Sequence, residues 1–341
     1  MPKRILREFA IDVEAPPDQV WELVSDTARM NALAGNPKYE AYEVTNPDQS
    51  VDVFARLSVA GFTVEWQELP VNWIANQWFE QIREFRSGPL ERLRAMVRLT
   101  PLDTGTRCDY LLECDARNWL GRVGARRSFR AYEAQARETL SQITATTDEK
   151  PVARETIPET SVIARRAHQI AEQIETTPYG HGLAHQLADF VLNADELDVW
   201  TIRPLNLATL WSVEPRKAIE VCLQSVRLGL LESRWDLLCP RCRVAKAQPL
   251  KLDSLPDNVH CPSCNIDFEA DFAQNVELAF TPAPAIRSVE FGFYCRSGPG
   301  MTPHVKGQIT VAPQETRIVK HSLPASSNII PLHPCRSSTL P

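Results

Sequence analysis

Along the first third of the chain apolar and polar residues alternate in short runs, the period-two signature of half-buried strands. Leu6–Val13 opens the pattern with Phe9, Ile11 and Val13 on one face. A helix then starts at Ala15-Pro16-Pro17-Asp18, because proline suits a first turn whose amides lack partners anyway. Val20, Trp21 and Val24 give that helix an apolar stripe, and Thr27–Gly35 predicts a second short helix. Tyr39–Val44, Val51–Val59, Phe62–Glu68, Trp78–Phe85, Leu90–Thr100 and Thr106–Asp115 read as strands. Between them stand turn signals such as Asn46-Pro47-Asp48, Ala60-Gly61, Ser87-Gly88-Pro89 and Asp103-Thr104-Gly105. Strands so closely spaced predict an antiparallel meander. From Trp119 to about Ile143 the period lengthens to that of a helix, with Val123, Phe129, Tyr132 and Ala136 expected to face inward.

A polar, proline-punctuated stretch follows and reads as a linker over residues 147–160. Helical patterns near 160–176 and 181–193 flank Thr177-Pro178-Tyr179-Gly180. Leu205–Trp211, the turn Ser212-Val213-Glu214, the helix Pro215–Leu228 and the strand Leu230–Leu238 together suggest a winged-helix arrangement. The expected organisation is therefore a first domain at 1–146, a helical, winged-helix-like segment at 161–238 and a cysteine-bearing ribbon at 239–275. A β region at 276–319 and a disordered tail at 320–341 complete it.

Composition narrows the classes. With 341 residues, 43% of them hydrophobic and 23% charged, the chain has the makeup of a globular protein with more than one core. A formal net charge of −6 gives no general support to nucleic-acid binding. No run of 18 apolar residues is present to span a membrane, and the start Met-Pro-Lys-Arg lacks the apolar centre of a secretory signal. A cytoplasmic location is the expectation. Nine cysteines, an odd number without a signal peptide, argue against a disulfide framework.

Four of the nine cluster. Cys239-Pro-Arg-Cys242 and Cys261-Pro-Ser-Cys264 are two matched knuckles with 18 residues between them. Each knuckle offers two thiolates from one tight turn, and two knuckles close a tetrahedron around zinc. Four sulfurs leave no coordination position for water or substrate, so the expected role of Zn2+ is structural. A redox dithiol and an iron–sulfur centre are the alternatives.

The order strand, two short helices, run of strands and long helix resembles the START-like superfamily, which includes polyketide-cyclase-like proteins and the plant pathogenesis-related allergens. The segment Ile11-Asp-Val-Glu-Ala-Pro-Pro-Asp-Gln-Val-Trp-Glu-Leu-Val-Ser-Asp26 looks like its first strand and helix pair. That resemblance implies an α+β helix-grip fold in which a curved sheet wraps the last helix around an apolar cavity. An apolar small molecule is the implied ligand, with Trp66, Trp78 and Phe79 as candidate cavity lining. The later run Arg203-Pro-Leu-Asn-Leu-Ala-Thr-Leu-Trp, the two knuckles and Asn275-Val-Glu-Leu-Ala-Phe-Thr-Pro are similar to an uncharacterised domain. It occurs upstream of bacterial class III adenylate/guanylate cyclase catalytic domains. A cyclase domain or another protein is thus the implied partner. Only a short polar tail follows Val319, so the cyclase catalytic domain itself is expected to be absent.

Other motifs are weaker. Neither a P-loop nor a glycine-rich dinucleotide fingerprint occurs. His181 and His185 lack the glutamate that a zincin places between them. Arg122, Arg126 and Arg130, with Arg127 alongside, form a helical stripe: a solvated face, or a contact for an anionic headgroup. Glu65 and Glu68 follow no acid–base pattern, and spacing reveals no Ser, His and Asp set. The reading is a non-catalytic ligand sensor. One alternative is a DNA-binding regulator using Pro215–Leu228, where Arg216, Lys217 and Arg227 are diluted by Glu214 and Glu220. Another is a polyketide-cyclase-like enzyme, which requires an acid or base pointing into the cavity.

Overall fold

The computed structural model describes residues 3–47, 51–59, 61–143, 157, 160–261, 264, 266–289, 292–296, 298–311 and 314–318. The expected linker at 147–160 lies almost wholly outside them, and the tail at 320–341 wholly so. Two compact units are present. The first comprises Met1–Pro151, Pro262–Asn265 and Gly292–Pro341, and the second Val152–Cys261 and Ile266–Phe291.

The first unit has the α+β architecture anticipated from the alternation. It runs β1 (Lys3–Val13), α1 (Pro17–Val24), α2 (Thr27–Leu33), then β2 (Glu40–Thr45), β3 (Val51–Val59), β4 (Phe62–Glu68), β5 (Asn72–Ile74), β6 (Trp78–Phe85), β7 (Leu90–Leu102) and β8 (Gly105–Ala116). The long helix α3 (Trp119–Ser141) follows. The strands pair antiparallel in the order β1-β8-β7-β6-β4-β3-β2, with β5 also on β6. Burial along β8 alternates strictly: Thr106, Cys108, Tyr110, Leu112, Cys114 and Ala116 are inward and their neighbours are not. Asn118 starts α3 by accepting the Gly121 amide at 2.9 Å. Ala125, Phe129, Ala136 and Leu140 of that helix share one apolar core with Phe9, Phe79, Val97 and Leu112 of the sheet. Val123 departs from expectation, at 56% exposed. The buried stripe runs instead through Gly121, Ala125 and Phe129, and two of those three residues are too small to register as apolar in the sequence pattern.

The second unit contains α4 (Val162–Glu175), α5 (Ala184–Asn193), α6 (Glu196–Val199), α7 (Pro204–Leu210), α8 (Pro215–Leu228), β9 (Leu231–Leu238), β10 (Ala245–Ala247), β11 (Asn258–Cys261), β12 (Ile266–Glu269) and β13 (Val276–Pro282). One small sheet has the order β10-β9-β13, and β11 forms a hairpin with β12. Ile170, Ile174, Leu187, Val191, Val221, Leu231 and Phe280 lie in its apolar core. After Phe291 the chain belongs to the first unit, where β14 (Gly307–Gln308) pairs with β5.

Candidate metal centre and grip interior

The knuckles meet. One sulfur from each of Cys239, Cys242, Cys261 and Cys264 lies within 4.8 Å of the other three. A tetrahedron with Zn–S bonds of about 2.3 Å has edges of roughly 3.8 Å, and the Cys242 and Cys261 sulfurs are 3.8 Å apart. Tight turns set this up: the Arg243 amide donates to the Cys239 carbonyl at 2.9 Å, and Arg243 takes a left-handed φ of 57°. Its guanidinium is held by Glu277 at 2.9 Å, anchoring the first knuckle to β13. Cys261 closes the β11–β12 hairpin against Ile266. His260 is engaged by Asp267 at 2.9 Å and is not part of the thiol set. The donors are four thiols, three buried and one half-buried, a set consistent with zinc.

A second constellation lies on the face of the sheet that α3 covers. The register pairs Trp66 with Phe85 and Glu68 with Arg83, so those side chains share a face with Phe79 and Gln81. Trp66 and Phe79 are both buried there, at 4% and 3% exposed. Trp78 pairs with Ile74 and Arg98 and, as the neighbour of Phe79 in β6, occupies the opposite face.

This helix-facing surface is not wholly apolar. Glu68, 4% exposed, accepts from the Tyr39 hydroxyl at 2.7 Å and from Trp66 Nε1 at 3.3 Å. Arg83 brings one guanidinium nitrogen within 3.2 Å of the same carboxylate. It also lies 5.6 Å and 5.5 Å from the ring centres of Tyr39 and Trp66. The Glu68–Arg83 contact is an ion pair without hydrogen-bond alignment, and the buried Arg83 Nε has no acceptor among the described residues. Nor does the buried hydroxyl of Tyr110, whose ring stacks on Phe9 at 4.7 Å. Burial pushes the Tyr39 hydroxyl up despite the opposing pull of Arg83, and burial likewise raises Tyr110. Both phenols therefore stay neutral donors. Sequence reasoning left Glu68 unplaced and missed Arg83 and Tyr39. The signal was strand parity, since Glu68 sits two residues from Trp66 and must share its face.

The arginine stripe divides between contacts and solvent. Arg126 and Arg130 line a pocket of about 240 Å3 with Arg4, Ile5, Leu6, Arg7 and Phe129. Arg4 is paired there to Glu113 at 2.9 Å, and Arg7 to Glu133. His181 and His185 part ways: His181 bonds Glu220 at 2.6 Å, while the His185 ring stacks against His168.

The polyketide cyclase / dehydrase and lipid transport family matches residues 7–145. A family of unknown function, DUF5939, matches residues 174–292 and so takes in the cysteine knuckles. Solved structures similar to the chain include the ZhuI aromatase/cyclase of a Streptomyces species. It is 16% identical, with 40% of this chain and 90% of that one covered and a TM-score of 0.28. A START superfamily protein of Mycobacterium smegmatis is 13% identical over 41% of this chain and 99% of its own, with a TM-score of 0.29. A major latex-like protein of Panax ginseng is 7% identical over 40% and 97%, with a TM-score of 0.25. No curated protein matches the chain. No helix among the described residues is long and apolar enough to cross a membrane.

Proposed function

We propose that the chain is a non-catalytic regulatory protein whose START-like domain binds an apolar small molecule and whose zinc-bearing DUF5939 region relays that state. The carrying observation is the interior of the grip. A face made of Phe9, Phe79, Val97, Leu112 and Trp66 also holds two buried donors, on Arg83 and Tyr110, that find no acceptor among the described residues. An apolar wall with a few polar groups is the common lining of small-molecule sites. The family match to lipid transport proteins supports the same reading. Four thiols closed around zinc make a rigid, chemically inert support. In relatives that carry one, a class III cyclase domain is the output; here the output is such a domain or another protein partner, in the cytoplasm.

A polyketide-cyclase-like enzyme is the second reading, favoured by one observation: Glu68, Arg83 and Tyr39 place an acid, a cation and a phenol inside the grip. DNA binding through α8 gains less. Arg216 is neutralised there by Glu220 at 2.8 Å.

A panel of lipophilic compounds, screened by thermal shift on the full chain and recovered for mass spectrometry, decides between these. A ligand at 100 times its Kd stabilises by about 2.7 kcal/mol, which moves a domain of this size by several degrees. The expected result is a shift with ligand recovered unchanged. Chemical conversion of the ligand selects the enzyme, and no shift from a broad panel removes the sensor.

A further inference from the structure

The DUF5939 match ends at residue 292, and from Gly292 onward the chain is part of the START-like unit. Phe293 begins a strap by pairing with Tyr39, each backbone amide donating to the other's carbonyl at 2.9 Å. Its ring packs on the cluster of Tyr39, Ala55 and Trp66. Cys295, 2% exposed, sets its sulfur 3.3 Å from Gln81 Nε2, on the helix-facing side of β6. The Arg296 amide donates to the Tyr39 hydroxyl at 3.1 Å, and its guanidinium pairs with Glu43.

Beyond this the strap crosses the α1–α2 junction, where the Gly300 amide donates to the Ser25 carbonyl at 3.0 Å. A Cβ at Gly298 would stand 1.9 Å from Thr27 Oγ1, so the approach is close enough to need glycine. Val305 rests on the main core, and β14 ends the crossing on β5. The strap thus lies over the polar interior, with Tyr39, Gln81 and Trp66 beneath it.

We propose that the strap, residues 293–296 and 298–308, is a built-in competitor for the ligand of the grip. That ligand is an amphiphile whose acceptor head takes the buried guanidinium of Arg83, against which the strap sets only the Cys295 thiol. The proposal deepens the sensor reading and rests on it. A buried donor without an acceptor is costly, and the inward polar atom of the strap at Cys295 is a thiol, a weak acceptor. A carboxylate or carbonyl oxygen satisfies Arg83 Nε far better, and an apolar tail replaces Phe293 on Trp66.

The test uses the full chain and a dansyl-labelled undecanoic acid as probe, with fluorescence titration for affinity. Iodoacetamide labelling of Cys295, mapped by peptide mass spectrometry, reports the strap. Saturating probe is expected to raise Cys295 labelling in the native chain at least tenfold. The double variant Phe293→Ala, Arg296→Ala is expected to bind the probe at least tenfold more tightly. Gly298→Val, which dislodges the strap at Thr27, should do the same should the double variant fail to fold. The probe without its carboxyl group is expected to bind at least tenfold more weakly. Equal affinity of the two probes overturns the assigned head. Equal affinity of native and variant chains, with Cys295 protected throughout, overturns the competitor while ligand binding survives. Variants that expose Cys295 yet bind no probe overturn competitor and sensor together.

Discussion

Two residues apart on β9, Arg234 and Asp236 are 8% and 1% exposed, and they hold each other at 2.9 Å from Nε to Oδ1. Gln248 Nε2 donates to the same carboxylate oxygen at 3.1 Å, and an Arg234 nitrogen reaches the Trp200 carbonyl at 3.4 Å. Both charges are desolvated, so what matters is the partner left behind when one is removed. Asp236→Leu strands a buried guanidinium and is expected to cost about 3–5 kcal/mol, whereas replacing both members with apolar residues is near neutral or stabilising. Urea unfolding of the single variant and of Arg234→Met, Asp236→Leu checks this. A single-variant loss under about 1 kcal/mol would mean that water reaches the pair. The grip follows the same logic with the opposite outcome, since Arg83 and Tyr110 are left with buried donor atoms that find no acceptor among the described residues.

The turn between β7 and β8 shows how far local signals reach. Asp103-Thr104-Gly105 marks it in the sequence, and in the fold Gly105 takes φ 149° with Val13 O only 2.1 Å from the place of a Cβ. Gly105→Ala therefore combines a conformation almost restricted to glycine with a clash against the end of β1. A loss of about 1–3 kcal/mol is expected, read as a lowered Tm of the first unit. A Tm unchanged within a degree would show that the hairpin relaxes freely. Elements bounded by such turns were legible: β3, β4 and β6 begin and end where alternation and turn residues place them. The knuckles were legible because each is one turn of chain. β5 was not, being three residues after Leu69-Pro70 with no room for a period. Nor was the strap, whose glycines and prolines acquire an address only through distant partners such as Tyr39, Ser25 and Ile74. The inward acid Glu68 could have been found by extending strand parity from Trp66 to charged residues as well as apolar ones.

At the scale of the whole molecule, each unit has an apolar core of its own, so unfolding is expected in two steps rather than one. The segment around the four thiols has short strands, β10, β11 and β12, and little apolar surface of its own. Zinc held by those thiols is therefore expected to supply much of its stability. In small finger peptides zinc contributes about 10–16 kcal/mol at neutral pH, as much as the whole stability of a typical domain. Stripping one zinc per chain with a strong chelator, quantified by a colorimetric zinc indicator, is expected to abolish or sharply lower one calorimetric transition and leave the other in place. The surviving transition should be that of the first unit, which Gly105→Ala identifies by moving it alone. Cys242→Ser should reproduce the chelated trace without any chelator. Zinc release that leaves both transitions where they were would show that the four thiols hold their positions unaided, and the structural role of the ion would fall.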